Sequence, residues 1–213
     1  MQGIIGRKIG MTKLFNAETG KAVPVTVIHV EPNVVHQVKT TENDGYSAVQ
    51  IGYDLISEKK VNKPMVGHCK KCNSTPTRII KEFKLDSVTE VLTQGQRVGL
   101  ELLDDSKFVD IIGVSKGRGF TGTIKKFNFR RGRETHGNTN HRERGSSGAN
   151  TYPGRVFPGL KMSGQWGAGQ VTVKNLKVMN IDKESSILYV KGAVPGATKG
   201  VVYIMKRRSR TAK

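Results

Sequence analysis

Residues 113–167 contain too little apolar material to fold by themselves, yet they lie in the interior of the chain. The stretch reads GVSKGRGFTGTIKKFNFRRGRETHGNTNHRERGSSGANTYPGRVFPGLKMSGQWG. It holds 12 of the 25 glycines, eleven Lys or Arg, and two Glu. Its branched aliphatics are Val114, Ile124, Val156 and Leu160. Burying four such side chains cannot offset the entropy of ordering the segment. A long loop of this kind inside a compact domain is functional or disordered as a rule. Its chemistry matches a nucleic-acid partner. Guanidinium groups suit phosphates, glycines allow close backbone approach, and a few aromatics can stack on bases. The segment reads as an arm that folds on RNA.

The whole chain carries the same sign. Lys and Arg number 36 against 17 acids in 213 residues, a net charge of +19 with a pI of about 10.1. That exceeds what solubility requires and points to a polyanion. A membrane surface is the other polyanion, but the chain has no run of 18 apolar residues and no amphipathic basic helix. The N-terminus, MQGIIGRKIGMTKLF, shows neither a signal-peptide core nor a transit-peptide pattern, so the expected compartment is bacterial or bacterial-like cytoplasm. Two cysteines make no disulfide framework.

Outside the arm the chain alternates like a β protein. Residues 2–9 and 12–16 read as strands around a Gly10-Met11 turn. KAVPVTVIHV (21–30) is the next strand, with Pro24 marking an edge or an entry. Val34 to Lys39 and Tyr46 to Tyr53 flank the hairpin signal Asn43-Asp44-Gly45. This antiparallel meander favours a barrel or a sandwich. Lys63-Pro64 can open a short helix, and Arg78 to Lys84 is a strand. Residues 82–110 hold seven acids against Lys84, Arg97 and Lys107 and read as a solvated side of the body, away from RNA. Gly95-Gln96 turns into a strand from Val98 to Leu103, and Lys107 to Val114 leads into the arm. Beyond it come strands at 170–181, 186–191 and 201–206, and a tail, 206–213, with five basic residues.

Several motifs have more than one reading. Gly117 to Gly122 matches G-x-G-x-x-G and precedes a plausible helix at 121–126. A dinucleotide site also needs a second parallel strand ending in an acid, and Glu143 follows no strand. A glycine turn that touches phosphate, or one that only turns, remains. His68-Cys69-Lys70-Lys71-Cys72 holds one C-x-x-C, whereas structural zinc takes four ligands; inert thiols on one helix face are the alternative. His136 and His141 have no nucleophile or carboxylate at triad spacing and suit bases or phosphates. Asp104-Asp105 reads as a turn. Trp166 fits either a core position or a stacking platform.

At these residues the chain resembles the bacterial family of large-subunit ribosomal protein L-three. The resemblance runs nearly end to end. It comprises GxxGxKxGMT at Gly3 to Thr12, PVTVIxxxPN at Pro24 to Asn33, DGYxAVQxGY at Asp44 to Tyr53 and KPxxGH at Lys63 to His68. The central signature is VDIIGVSKGRGFTGTIKKFNF, followed by HG, GRVFPGxKMxGxxG and KGAVPG (191–196). The resemblance implies a mainly β fold with some α. This would be a closed antiparallel β-barrel of translation-protein type, with a small α/β insertion and a long basic Gly-rich internal extension. The chain would then divide into barrel body (1–54), insertion (55–96), barrel strands (97–116), arm (117–168), barrel strands (169–206) and basic tail (207–213).

It also implies a structural, non-enzymatic protein that binds rRNA near the 3′ end of the large-subunit rRNA and nucleates subunit assembly. Its arm would run toward the peptidyl-transferase centre, with L-fourteen and L-nineteen as protein neighbours. No cofactor, metal, membrane or small-molecule substrate is expected. The tip would be Gly148, Ala149, Asn150 and Thr151. Some members carry a methylated glutamine where this chain has Thr151, so that modification should be absent. The rRNA contacts would come from Lys8, Lys116, Arg118, Lys125, Lys126, Arg130, Arg131, Arg133, Arg142, Arg144, Arg155, Lys161, Arg207 and Arg208. His136, His141 and Trp166 join them, with Phe127, Phe129 and Tyr152 as further stacking candidates. The paired cysteines depart from the family pattern and leave a lineage-specific metal or redox role open. Two other classes compete on composition: a nucleotide-modifying enzyme using Gly117 to Gly122, and a DNA-compacting protein.

Overall fold

The computed structural model describes residues 3–15, 20–85 and 92–207. They form two compact units: Gly3–Val114 with Gln170–Arg207, and Ser115–Gly169.

The first unit holds a closed six-stranded barrel and a four-stranded sheet. Its strands are β1 (Gly3–Phe15), β2 (Ala22–His29), β3 (Asn33–Lys39), β4 (Ala48–Leu55), β5 (Thr77–Lys84), β6 (Arg97–Val98) and β7 (Phe108–Val114). After the second unit, which contains β8 (Phe120–Thr121) and β9 (Gly164–Gln165), come β10 (Gln170–Asp182), β11 (Ile187–Lys191) and β12 (Val201–Lys206). The barrel order is β1-β12-β7-β10-β11-β2, closing back on β1, with every ladder antiparallel. Closure leaves no open edge. Alternation supplies the filling: along β7, Val109 and Ile111 point in while Phe108 and Val114 stay exposed. Ile4, Ile28, Leu188, Val190 and Ile204 are fully buried with them.

β1 is one continuous strand, not two strands around a Gly10-Met11 turn. Gly3 to Arg7 pairs with β12, and Arg7 to Phe15 pairs with β2. The register slips at Ile9, so a bulge bends the strand while pairing continues. Pro24 lies in β2 opposite Lys13, just beyond the β11 ladder that ends at Val25. The missing N–H therefore costs no bond in that ladder.

A second correction concerns residues 33–54, which the sequence reading assigned to the barrel. β3 and β4 instead join β5 and β6 in a separate sheet, order β5-β4-β3-β6. The hairpin between β3 and β4 is present, bridged by a one-turn helix α1 (Thr41–Asp44) that ends at left-handed Gly45. The expected strand at 98–103 is a 3-10 turn, Leu100–Leu103, after the two-residue β6. Leu100 and Leu103 both bury, as a period of three requires. Helix α2 (Lys63–Lys71) opens with Pro64 in its first turn.

The two sheets share one hydrophobic core. Asn33 stitches β1 to β3: its amide accepts from Ile5 N at 3.0 Å and donates to the Ile5 carbonyl at 3.1 Å. The acids of the 82–110 stretch are partly committed to the body. Glu82 pairs with Lys39 at 2.8 Å, Asp104 with Lys183 at 2.6 Å, and Asp110 accepts from Asn175 N at 2.7 Å. Asp86 and Glu90 lie outside the described residues.

His36 is the polar centre of the second sheet. It is fully buried, with Nδ1 2.6 Å from Ser74 Oγ and Nε2 2.8 Å from Thr77 Oγ1. Burial, and secondarily the neighbouring His68, hold its pKa below the ordinary 6.5. The unfolded chain takes up this proton near pH 6.5 and the folded chain does not. Stability from this site is therefore complete at neutral pH and falls as pH drops through 6.5 toward the depressed folded value. Urea unfolding at several pH values should show that loss, and His36→Gln should remove its share of the pH slope. A Cβ on Gly52 would overlap both His36 Nε2 and Thr77 Oγ1. Gly52→Ala should cost about 1–3 kcal/mol in the same assay.

Candidate nucleic-acid interface

The second unit has almost no interior. Between Ser115 and Gly169 the only buried side chains are Thr121 and Thr123, and no hydrophobic side chain is buried. Tyr152 is 90% exposed. The unit is held at its root and leaves its charges outward.

The root is a small antiparallel clamp. β8 pairs with β9, Phe120 opposite Gln165 and Thr121 opposite Gly164. Arg118 N donates to the Trp166 carbonyl at 2.8 Å, and Trp166 N donates to the Gly119 carbonyl at 3.0 Å. Ser115 N donates to the Gly169 carbonyl at 2.9 Å. The Arg118 guanidinium lies 3.8 Å from the Trp166 ring centre. Thr121 Oγ1 donates to the carbonyls of Arg118 and Gly119 at 3.3 and 3.4 Å, tying the glycine turn closed. Gly167 has φ +74°, and a Cβ there would strike the Lys116 carbonyl, so only glycine passes. The G-x-G-x-x-G turn is thus closed by an antiparallel hairpin, whereas the dinucleotide motif needs a parallel βαβ unit.

Beyond the clamp, helix α3 (Thr123–Phe127) ends at Asn128 in the left-handed region. Phe127 and Phe129 sit with ring centres 6.3 Å apart. Lys126 and Lys161 lie 5.3 and 5.8 Å from the Phe127 ring centre. The next turn is locked by polar side chains. His141 Nδ1 donates to the Arg133 carbonyl at 3.0 Å, Asn138 Nδ2 donates to the same carbonyl at 2.7 Å, and Gly132 N donates to the His141 carbonyl at 3.1 Å. His141 therefore has one ring nitrogen committed to the loop. His136 is exposed with φ +61°. Farther on, Ser146 Oγ donates to the Gly148 carbonyl at 3.0 Å, and Ala149, Asn150 and Thr151 are exposed.

The electrostatics are one-sided. Among the described residues the unit makes one ion pair, Arg131 with Glu134 at 3.8 Å. Arg130, Arg133, Arg142, Arg144 and Arg155 have no carboxylate within salt-bridge distance among the described residues. The aromatics are covered by cations instead, as Arg155 over Phe157 at 6.0 Å also shows. Weakly hydrated guanidiniums without carboxylates are free to take phosphates.

One assigned cation is already committed within the protein. The Lys8 ammonium donates to the carbonyls of Val194 at 2.8 Å and Gly196 at 3.2 Å, within the barrel unit. Lys8 is buried, so its charge pins the 194–196 loop instead of facing a ligand. Arg207 lies 5.5 Å from the Phe108 ring centre, and Arg208 falls outside the described residues. Conversely, the sequence reading passed over Phe120 and Phe157, which are 79% and 57% exposed. The available signal was a phenylalanine two residues after an arginine in a segment with no core to bury it.

Cys69 and Cys72, on and at the end of α2, are free and buried. Burial and the neighbouring Cys72 push the Cys69 thiol pKa up, the reverse of what a reactive thiolate needs. Among the described residues no group of three or more His, Cys, Asp or Glu is placed to hold a metal. No described helix is long and apolar enough to cross a membrane.

The sequence profile of the family described as Ribosomal protein L3 matches residues 80–213. The large ribosomal subunit protein uL3 of Crocosphaera subtropica is 48% identical over 202 residues, covering 95% of each chain. The chain belongs to the ribosomal protein L3 family. Its similarity to the uL3 protein of Petrotoga mobilis is 47% over 204 residues, with 96% of this chain and 94% of the relative covered. With that of Geobacillus stearothermophilus it is 46% over 212 residues, covering 100% and 98%. Membership in the L3 family makes it a structural ribosomal protein, a ribonucleoprotein component whose place is the ribosome in the bacterial cytoplasm.

The clamp generates one prediction. A cation–π contact is worth about 0.5–2 kcal/mol. Arg118→Ala should therefore speed amide exchange at Trp166 by roughly 2- to 30-fold. Unchanged exchange would show that the stacked pair does not hold the root.

Proposed function

We propose that this chain is an rRNA-binding protein of the large subunit that attaches directly to the rRNA near its 3′ end and helps nucleate assembly. One observation carries the reading: the fifty-five residues Ser115–Gly169 bury no hydrophobic side chain and leave most of their cations without carboxylate partners. Such a segment needs a polyanion to hold its shape, and RNA supplies phosphates and base faces together.

In this account the barrel unit supplies a rigid mount and shape-based docking. Lys116, Lys125, Lys126, Arg130, Arg131, Arg133, Arg142, Arg144, Arg155 and Lys161 neutralise phosphates, and Arg207 and Arg208 add to them from the C-terminal end. Phe127, Phe129, His136, Tyr152 and Trp166 meet bases. Gly148, Ala149, Asn150 and Thr151 form the tip directed at the peptidyl-transferase centre. L-fourteen and L-nineteen types are the expected protein neighbours. The arm works by positioning and charge, with no chemical step of its own. The chain's domains follow the same logic: a barrel interrupted first by the small sheet and then by the arm.

Each phosphate neutralised on single-stranded RNA steepens the log–log dependence of affinity on salt by about 0.7. Replacing Arg130, Arg131, Arg133, Arg142 and Arg144 with Gln should flatten that slope by up to about 3.5 on a 3′-end rRNA fragment. The same protein should lose its preference for that fragment over random duplex DNA. A slope unchanged by the five replacements would sink the assignment of these residues to phosphates.

A further inference from the structure

Phe120 is an aromatic ring that phosphate binding does not explain. It is 79% exposed, more than any other described phenylalanine. Its backbone is fixed by the ladder with Gln165, so the ring cannot withdraw by a local shift of the chain. It stands at an open depression of about 260 Å³, lined also by Arg118, Thr121, Thr123, Lys125 and Arg142. A neighbouring depression of about 350 Å³ shares Thr123 and Arg142 and adds Arg144, Met162 and Ser163. No carboxylate lines either one. The Arg118 guanidinium is committed to Trp166. The cations left facing the depressions are Lys125, Arg142 and Arg144.

The combination selects a ligand. A bare phosphate would use the cations and leave the ring idle. A duplex offers phosphates but keeps its base faces stacked inside. An unpaired RNA strand offers both, and an aromatic ring stacks on any base. Both depressions lie near the lower end of the range for a whole small-molecule site, and each suits one nucleotide. We propose that the paired depressions take two consecutive unpaired nucleotides. The first base stacks on Phe120, and Arg142, which both depressions share, binds the phosphate between them. This deepens the RNA-binding reading and rests on it.

The test uses the full chain and two RNA hairpins that differ only in a two-nucleotide bulge carrying 2-aminopurine. The wild-type chain should bind the bulged hairpin roughly 5- to 150-fold tighter than the paired one, the worth of one stacked base, and quench the 2-aminopurine. Phe120→Ala should bind both hairpins alike and keep the wild-type salt slope on the paired one. Phe120→Trp should retain the preference. Exposure of Phe120 makes both variants compatible with folding, which Trp166 fluorescence can confirm for Phe120→Ala. If Phe120→Ala keeps the full preference, or the wild type shows salt-dependent binding without any preference, the nucleotide site is overturned and the RNA-binding reading stands. Absence of salt-dependent binding to both hairpins and to the rRNA fragment overturns both.

Discussion

The pairing of β7 with β10 is the constraint on which the rest depends. These strands flank the arm in sequence and lie side by side in the barrel, Val114 opposite Gln170. Closing a flexible loop of fifty-five residues costs roughly 3.5 kcal/mol plus a constant. The barrel bears that cost through a ladder and a core that exist regardless of the arm. Ile111 and Val109 of β7 bury among Ile4, Leu188 and Ile204, so the strand is anchored by residues far away in sequence. The arm therefore needs only its own short clamp, Phe120–Thr121 against Gly164–Gln165 with Arg118 on Trp166, to define where it begins and ends.

Past the clamp, the same chemistry that prevents a core prepares a surface. Glycines and arginines replace the aliphatics that a folded domain would bury. His141 and Asn138 tie one turn through the Arg133 carbonyl, so the backbone is shaped by polar contacts while the guanidiniums stay outward. Lys8 shows the opposite use of a cation. Buried against two carbonyls, it joins the 194–196 loop to β1 and is spent on structure. Charge alone does not mark an RNA contact.

The sequence made the strands legible and left their partners obscure. Alternation along 21–30, 107–114 and 170–191 reports that one face is buried. It does not report which sheet receives the strand, so β3 and β4 read as barrel strands although they pair with β5 and β6. The Leu100–Leu103 run shows a related ambiguity, since a short apolar stretch fits a strand or a 3-10 turn. The arm was legible because its composition violates what a core needs. Phe120 was not, because a phenylalanine between glycine and threonine reads as turn filling until its exposure is known. The commitment of Lys8 was hidden for the same reason in reverse: its burial is a tertiary fact.

Amide hydrogen exchange across the chain, free and bound to the 3′-end rRNA fragment, tests the central claim most directly. The account predicts slow exchange in β7, β10 and β12 in both states. It predicts fast exchange from Phe129 to Leu160 in the free chain, with strong protection there once RNA is bound. Protection of that segment in the free chain, or none in the complex, would contradict an arm that borrows its order from RNA.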